Sequence, residues 1–138
     1  MDQRAAMKEA KGIIVTVDDD RRVRASMQAV MESAGYASVV FASAEEFLQS
    51  GTLARTACLI ADVRMPGLDG LELQRRIRLE RPQLPVIFIT AHDDDDIRQQ
   101  ALQGGAVDFM CKPFDPADLL NTIEEALSQL SRERDVDG

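Results

Sequence analysis

The sequence predicts an α/β protein built on a doubly wound, five-stranded parallel sheet with five helices. Five short apolar runs, rich in β-branched residues, alternate with five segments whose apolar residues recur at helical spacing. The runs are apolar at consecutive positions, which is typical of parallel strands that are buried on both faces. Because crossovers between parallel strands are right-handed, this alternation places helices on both faces of the sheet. The 138 residues suffice for one such domain.

The predicted strands end in polar residues that matter for function. Asp62 and Thr90 stand directly after the third and fourth strands. Thr16 is a polar residue inside the first strand, and we expect its hydroxyl to be hydrogen-bonded locally. The five strands are predicted at residues 13–17, 37–41, 57–61, 86–89 and 106–110.

The predicted helices are identified by their capping residues and their apolar periodicity. Asp20, Ser43, Asp69 and Asp115 are of types that cap helix N-termini, and each precedes a helical pattern. The four aspartates at 93–96 indicate a solvated start of the fourth helix rather than a metal site. The apolar faces are predicted to contain Val23, Met27, Val30, Met31 and Ala34, then Phe47 and Leu48, then Leu71, Leu73, Ile77 and Leu79, then Ile97, Ala101 and Leu102, and finally Leu119, Leu120, Ile123, Ala126, Leu127 and Leu130.

Composition excludes several functions. The net charge of -8 opposes a nucleic-acid partner, so we expect no direct contact with nucleic acid. No apolar run reaches the roughly 20 residues of a membrane span, and the start lacks the apolar core of a signal peptide, so we expect a cytoplasmic protein without membrane contact.

Cys58 and Cys111 lie in apolar strand contexts and are predicted to be buried, reduced thiols. His92 is the single histidine, so a zinc site or a Ser-His-Asp site could form only through it.

Five chemically active side chains are predicted to meet at one edge of the sheet. The carboxyl ends of parallel strands share one rim, which gathers Asp18, Asp19, Asp62, Thr90 and Lys112. Crowded carboxylates repel each other unless a cation intervenes, and a set of hard oxygen ligands suits Mg²⁺. Mg²⁺ is therefore the expected cofactor.

This group of residues indicates chemistry on phosphorus. Asp62 can attack phosphorus as a nucleophile and form an acyl phosphate, as carboxylates do in phosphoryl-transferring ATPases. Thr90 can hydrogen-bond one phosphoryl oxygen and Lys112 can neutralise another. Taken singly, each of these residues is more simply read as a turn residue, a cap or a solvated lysine. The agreement of these five residues, at the ends of four strands, favours the functional interpretation.

Four motifs resemble the receiver domain of two-component response regulators, the CheY-like family, over residues 12–130. The resemblance implies a flavodoxin-like sheet with strand order 2-1-3-4-5. It leaves residues 1–11 as an N-terminal tail and residues 131–138 as a C-terminal tail or the start of a linker. The sequence of the motif that ends in Lys112-Pro113-Phe114 resembles that of the FixJ-type branch. The motifs are Val17-Asp18-Asp19, Asp62 with Met65-Pro66-Gly67-Leu68-Asp69-Gly70, Ile89-Thr90-Ala91, and Gly105-Ala106-Val107-Asp108-Phe109 leading to Lys112-Pro113-Phe114.

The resemblance implies roles for the acidic residues. Asp62 is the implied phosphoacceptor. Asp18 and Asp19 form the implied acidic metal pair, with Asp19 favoured as the direct ligand. The backbone carbonyl of Arg64, two residues past the acceptor, is an implied further ligand beside Asp62 itself. The implied cofactor is Mg²⁺, with Mn²⁺ as an alternative.

The resemblance also implies a conformational switch. Thr90 and Lys112 contact the phosphoryl group, and Thr90 and Phe109 form the switch pair, with Phe109 turning inward when Asp62 is phosphorylated. Phe109 replaces the tyrosine common at this position, so only ring burial can report the state. The Lys112-Pro113 bond is an implied cis peptide. Arg64 and His92 could shield the acyl phosphate or orient water, although simple exposure is favoured for His92.

The implied function is signalling, and the chain is expected to catalyse only its own phosphorylation and slow dephosphorylation. The phosphodonor is a histidine kinase or a phosphotransfer protein. The fourth helix, fifth strand and fifth helix then form the face that binds an output domain, an effector or, after phosphorylation, a second copy of the chain. Two alternatives remain: a Mg²⁺-dependent phosphohydrolase of the haloacid-dehalogenase kind, and an interaction module that works without phosphorylation. The first is disfavoured because Arg64 stands where that family has a second aspartate, and because there is no cap domain.

Overall fold

Five parallel strands form one sheet in the order β2-β1-β3-β4-β5. The structure is a computed structural model that describes residues 12–137, with side chains described for residues 12–130, so the predicted N-terminal tail, residues 1–11, lies outside the described residues. The predicted fold class is confirmed. The strands are β1 Ile13–Val17, β2 Ser38–Phe41, β3 Thr56–Asp62, β4 Val86–Thr90 and β5 Asp108–Cys111.

Five α-helices connect and cover the strands. Predicted capping residues begin four of them: Asp20, Ser43, Asp69 and Asp115 each accept a hydrogen bond from a backbone N–H in the first turn. Asp94 caps the fourth helix in the same way, within the predicted acidic start. A short 3₁₀ turn, Leu53–Arg55, was not predicted. The helices are α1 Arg21–Ser33, α2 Ala44–Gln49, α3 Gly70–Glu80, α4 Asp95–Gln103 and α5 Pro116–Asp137.

The sheet separates two apolar clusters. Val15, Leu59 and Phe88 belong to the cluster that also contains buried residues of α2, α3 and α4. Alternate strand residues such as Ile14 and Ile60 belong to the other cluster, with buried residues of α1 and α5. Successive residues of a strand point to opposite faces, so both faces of the sheet are covered by helices, as the consecutive apolar positions predicted. None of the helices in the described part of the chain has the length and apolar character that a membrane span requires.

Two leucines predicted for apolar helix faces are exposed instead. Leu79 is 87% exposed and Leu102 is 44% exposed. The buried face of α3 contains Leu73 and Ile77, and a residue two positions after Ile77 lies about 200° further round the helix. Leu102 directly follows the buried Ala101, so it is turned away from the sheet.

Most strand boundaries agree with the prediction to within one residue, but the start of β5 and the end of α5 do not. β5 begins at Asp108 rather than at residue 106, because the Ala106 N–H donates to the carbonyl of Ala101 at the end of α4, at 3.0 Å. α5 continues to Asp137, past Leu130, where the polar segment was predicted to start. Residues 131–137 contain neither proline nor glycine, so nothing in their sequence stops the helix.

The hydroxyl of Thr16 does not find the local partner that was expected. Thr16 is fully buried, and its Oγ1 has no hydrogen-bond partner in the described part of the chain. Its neighbours in register on the adjacent strands are Val40 and Ile60, whose side chains offer no acceptor. The oxygen of Ser38 on β2 is buried without a partner in the same way.

A buried amide connects α3 to the end of α4. Gln74 is 3% exposed, and its Nε2 donates to the carbonyl of Ala101 at 3.1 Å. A Cβ on Gly104 would lie 2.6 Å from Oε1 of Gln74, so only glycine leaves room for this side chain. The C-terminal end of α4 is thus held by a hydrogen bond as well as by apolar packing.

Candidate functional site

Three carboxylates meet at the edge of the sheet where β1 and β3 end. Asp18 and Asp19 directly follow β1, and Asp62 is the last residue of β3. One carboxylate oxygen from each lies within 4.8 Å of those of the other two. Asp18 is fully buried and Asp62 is 8% exposed, whereas Asp19 is exposed. The cluster therefore has a buried floor and one side open to solvent.

Lys112 joins two of these carboxylates. It follows β5, and its Nζ lies 2.9 Å from Oδ2 of Asp18 and 3.3 Å from Oδ2 of Asp62. Burial alone would lower the pKa of the Lys112 ammonium, but hydrogen bonds and charge interactions with Asp18 and Asp62 outweigh burial and raise the pKa. Lys112 is thus a stable positive charge beside two partly desolvated carboxylates.

Backbone N–H groups orient the second oxygen of each buried carboxylate. Oδ1 of Asp18 accepts from the N–H of Asp20 at 2.8 Å, and Oδ1 of Asp62 accepts from the N–H of Arg64 at 3.1 Å. Burial raises the pKa of Asp62, and the Asp18 charge acts in the same direction; the Arg64 N–H and Lys112 oppose them. A nearby cation would favour the ionised form of Asp62.

Thr90 lies at the end of β4, but its hydroxyl is hydrogen-bonded within its own loop. Oγ1 of Thr90 donates to the carbonyl of His92 and accepts from the N–H of His92, both at 3.2 Å. The His92 side chain is exposed, as favoured from the sequence. Contact between Thr90 and a phosphoryl group on Asp62 would therefore require this local pair of hydrogen bonds to change.

Phe109 is already buried in this conformation. Its exposed fraction is 3%, and the guanidinium carbon of Arg98 lies 5.0 Å from the centroid of its ring. Arg98, on α4, also forms an ion pair with Asp93 at 3.3 Å. The expected switch begins with an exposed ring that turns inward, so the described conformation is the ring-inward one. The Lys112-Pro113 peptide bond is cis.

The response regulator receiver domain family matches the chain over residues 14–124. The chain belongs to this family. Receiver domains are parts of response regulators in two-component signalling, and the chain is accordingly a signalling domain. The relatives include FixJ, so the resemblance to the FixJ-type branch is consistent with what is found.

Two curated relatives and one solved structure illustrate the match. Nodulation protein W of Bradyrhizobium diazoefficiens is 40% identical over 126 residues, which is 91% of this chain and 56% of that protein. Transcriptional regulatory protein FixJ of the same species is 39% identical, with 86% of this chain and 58% of that protein covered. A response regulator receiver domain protein from Clostridium thermocellum has a TM-score of 0.82 at 26% identity, with 87% of this chain and 97% of that chain covered. The chain thus spans little more than half the length of these curated relatives.

The acidic cluster of this receiver domain fits a hard divalent cation. Its donors are carboxylate oxygens from Asp18, Asp19 and Asp62, and Mg²⁺ is bound in proteins by few carboxylates together with water. Exposure of Asp19 leaves room for such waters. The Arg64 carbonyl, implied by the family, is in the loop that directly follows Asp62.

Three tertiary contacts of the receiver domain were not predicted from its sequence. Nη1 of Arg24 donates to the backbone carbonyl of Asp18 at 2.8 Å. Arg64 forms an exposed ion pair with Asp94 at 3.7 Å, joining the loops after β3 and β4. Oε1 of Glu45 accepts from the backbone N–H of Leu68 at 3.0 Å. The sequence around Asp94 indicates only a helix cap, and Glu45 stands two residues after Ser43, the predicted cap of α2. Neither position carries a sequence pattern that predicts its tertiary contact.

Proposed function

We propose that this receiver domain accepts a phosphoryl group on Asp62 from the phosphohistidine of a histidine kinase or a phosphotransfer protein, in a reaction that requires Mg²⁺ or Mn²⁺. The proposal rests on one observation: Asp18, Asp19 and Asp62 meet within 4.8 Å while Lys112 contacts two of them. A carboxylate at the rim of a parallel sheet, between a cation site and an ammonium group, is placed to act as a nucleophile toward phosphorus. The expected cytoplasmic location belongs to this proposal.

The chain's own residues account for most of the transfer step. An oxygen of the Asp62 carboxylate attacks phosphorus, the P–N bond to the donor imidazole breaks, and the imidazole nitrogen keeps the electron pair. Lys112 neutralises a phosphoryl oxygen, since its Nζ is already 3.3 Å from Oδ2 of Asp62. Thr90 hydrogen-bonds another oxygen after it leaves His92.

The cation site is supplied by the three carboxylates and, as the family implies, by the carbonyl of Arg64. Mg²⁺ held there would neutralise negative charge on the phosphoryl oxygens during transfer. Asp62 would stay ionised beside the cation, which offsets the effect of its burial.

The proposed output is a change in the face formed by α4, β5 and α5. A phosphoryl group on Asp62 draws Thr90 out of its local hydrogen bonds, which shifts the loop before α4. Two states that differ by a few kcal/mol are enough for such a charge change to select one of them. The α4–β5–α5 face would then control an output domain or an effector, or form a phosphorylation-dependent homodimer. Direct contact with nucleic acid is not part of the proposal.

The test is incubation with acetyl phosphate and Mg²⁺, followed by intact-protein mass spectrometry. The wild-type chain is expected to gain the mass of one phosphoryl group, and Asp62→Asn is expected to gain none. Omitting the divalent cation with a chelator should abolish the gain. No gain in the wild-type chain would overturn the acceptor assignment and favour a module that works without phosphorylation. A gain that survives Asp62→Asn would overturn the assignment by showing that another residue accepts the phosphoryl group.

The phosphohydrolase alternative gains no support from the site. The position two residues after Asp62 is Arg64, whose exposed side chain pairs with Asp94 and cannot act as a general acid. Steady release of many phosphates per chain in a phosphatase assay would revive this alternative. Phosphorylation once per chain, with slow release, agrees with the receiver function.

A further inference from the structure

A glutamate on the neighbouring helix holds the loop that follows the proposed phosphoacceptor. Glu45 lies in the first turn of α2, 23 residues before Leu68, and Oε1 accepts from the Leu68 N–H at 3.0 Å. A carboxylate that accepts a backbone N–H makes a charge-assisted hydrogen bond, which is stronger than a neutral one. The β3–α3 loop, residues 63–69, is therefore tied to α2 by this bond.

The glycine beside this bond shows how closely the carboxylate sits on the loop. Gly67 has φ of +74°, and a Cβ there would lie 2.9 Å from Oε2 of Glu45. The backbone of Gly67, which has a left-handed conformation and no side chain, therefore lies directly against the Glu45 carboxylate. A residue other than glycine would meet both backbone strain and the carboxylate.

The tied loop directly follows Asp62 and contains Arg64. Its first part is fixed by the Arg64 N–H donating to Asp62 and by the Gly70 N–H donating to the carbonyl of Val63 at 2.9 Å. Glu45 adds an attachment at the far side of the loop, besides these bonds and the ion pair of Arg64 with Asp94. The loop that contains Arg64 is therefore attached to α2 as well as to β3.

We propose that Glu45 is a positioning residue that holds the β3–α3 loop through the Leu68 N–H and so sets the Arg64 carbonyl for divalent-cation binding. This inference rests on the proposed function of the acidic cluster. Partners that orient metal ligands change metal affinity when they are removed, although they never touch the metal.

Two substitutions at Glu45 distinguish the effect of its hydrogen bond from the effect of its negative charge. Glu45→Gln keeps an oxygen that can accept from Leu68 but removes the negative charge, whereas Glu45→Ala removes both. Gln49→Ala, at the other end of the same short helix, is the matched control. Because the loop has several other attachments, we expect the Mg²⁺ dissociation constant of Glu45→Ala to rise by about tenfold, the low end for such partners.

The measurements are calorimetric titration with Mg²⁺ and amide hydrogen exchange of the full chain. Glu45→Gln and Gln49→Ala should bind Mg²⁺ like the wild type, and exchange at the Leu68 amide should accelerate in Glu45→Ala alone. Equal Mg²⁺ affinity in Glu45→Ala and wild type would overturn the inference, as would equal weakening in Glu45→Gln and Glu45→Ala, which indicates a charge effect. Absence of Mg²⁺ binding by the wild-type chain would instead refute the proposed cation site itself.

Discussion

Lys112 places a permanent positive charge where a divalent cation is proposed to bind. Its ammonium contacts Asp18 at 2.9 Å and Asp62 at 3.3 Å. Both carboxylates are largely removed from solvent, so their mutual repulsion is reduced mainly by this ammonium when no metal is bound. The Lys112 ammonium and the proposed cation therefore interact with the same carboxylates. Removal of the lysine should not weaken, and can increase, the stabilisation of the fold by a bound cation.

Replacement of Lys112 tests this sharing. Lys112→Met should lower the free energy of unfolding by about 1–2 kcal/mol without divalent cation, a value reduced from that of a fully buried pair because the lysine is partly exposed. Mg²⁺ should then raise the melting temperature of Lys112→Met by at least as much as that of the wild type. Thermal unfolding with and without Mg²⁺ measures both effects.

Arg75→Met is the control, because Arg75 pairs with Glu72 on the exposed surface of α3. It should change the melting temperature little and leave the Mg²⁺ effect intact. A smaller Mg²⁺ effect in Lys112→Met than in the wild type would contradict the idea that lysine and cation share the carboxylates.

At the residue scale, sequence reasoning found groups that end strands and missed groups that cross between elements. Asp18, Asp62 and Lys112 were predicted to meet because strand ends of a parallel sheet share one rim. Glu45 and Arg24 act through backbone atoms far along the chain or in another element, and no local pattern encodes such a contact. The two hydrogen bonds of Thr90 to His92 were likewise unpredictable, because they depend on the path of one loop.

Helix α4 is connected to β5 through Arg98. Its guanidinium covers the Phe109 ring at 5.0 Å and is itself held by Asp93 at 3.3 Å. Nη2 of Arg98 also lies 3.9 Å from Sγ of Cys111 on the same strand. Burial of Phe109 is thus maintained by a cation on the neighbouring helix as well as by apolar packing.

Removal of this cation should loosen the contact between α4 and β5. Arg98→Ala is expected to lower the free energy of unfolding by about 0.5–1 kcal/mol, the lower range for a cation–π contact, because the Arg98 side chain is still partly exposed. Hydrogen exchange should accelerate in β5 and in α4. Arg76→Ala on α3 is the matched control, because its ion pair with Glu72 is exposed and touches no ring. Unchanged exchange in β5 would show that Arg98 does not hold the ring.

At the element scale, helix starts were easier to predict than helix ends. Capping residues such as Ser43 and Asp69 act within one turn, so a short sequence pattern identifies them. The end of α5 was misplaced because its apolar face ends at Leu130 while helix propensity continues to Asp137. The spacing of apolar residues shows which part of a helix is buried, and a helix can continue beyond its buried part.

The whole chain carries a net charge of -8, and the acidic cluster is a small part of that charge. Monovalent salt should stabilise the fold slightly by screening the overall repulsion. A bound divalent cation should add a further stabilisation, because it binds only the folded cluster.

The two effects can be separated by thermal unfolding. Mg²⁺ at about 10 mM should raise the melting temperature by a few degrees beyond NaCl of equal ionic strength. Asp19→Asn should keep the response to NaCl and lose the additional response to Mg²⁺, since Asp19 is the exposed member of the cluster. Equal responses to both salts in the wild type would argue against a specific cation site.

At the scale of the molecule, the alternation of strands and helices was sufficient for the α/β class and for helices on both faces. The strand order came from the family motifs, because alternation alone allows several orders for five parallel strands. One feature of the described conformation was predicted neither by the alternation of strands and helices nor by the motifs. Phe109 is buried while Thr90 is still hydrogen-bonded within its own loop.

The buried amide of Gln74 limits how α4 can respond. It holds the carbonyl of Ala101 near the last turn of this helix, where Gly104 leaves space for it. Towards its other end, α4 is attached by the exposed ion pair of Asp94 with Arg64 and by Arg98 on the Phe109 ring, which are individually weak contacts. Any displacement of α4 should therefore be a pivot about its C-terminal turn, with the largest excursion at the end nearest Thr90 and little sliding along the helix axis.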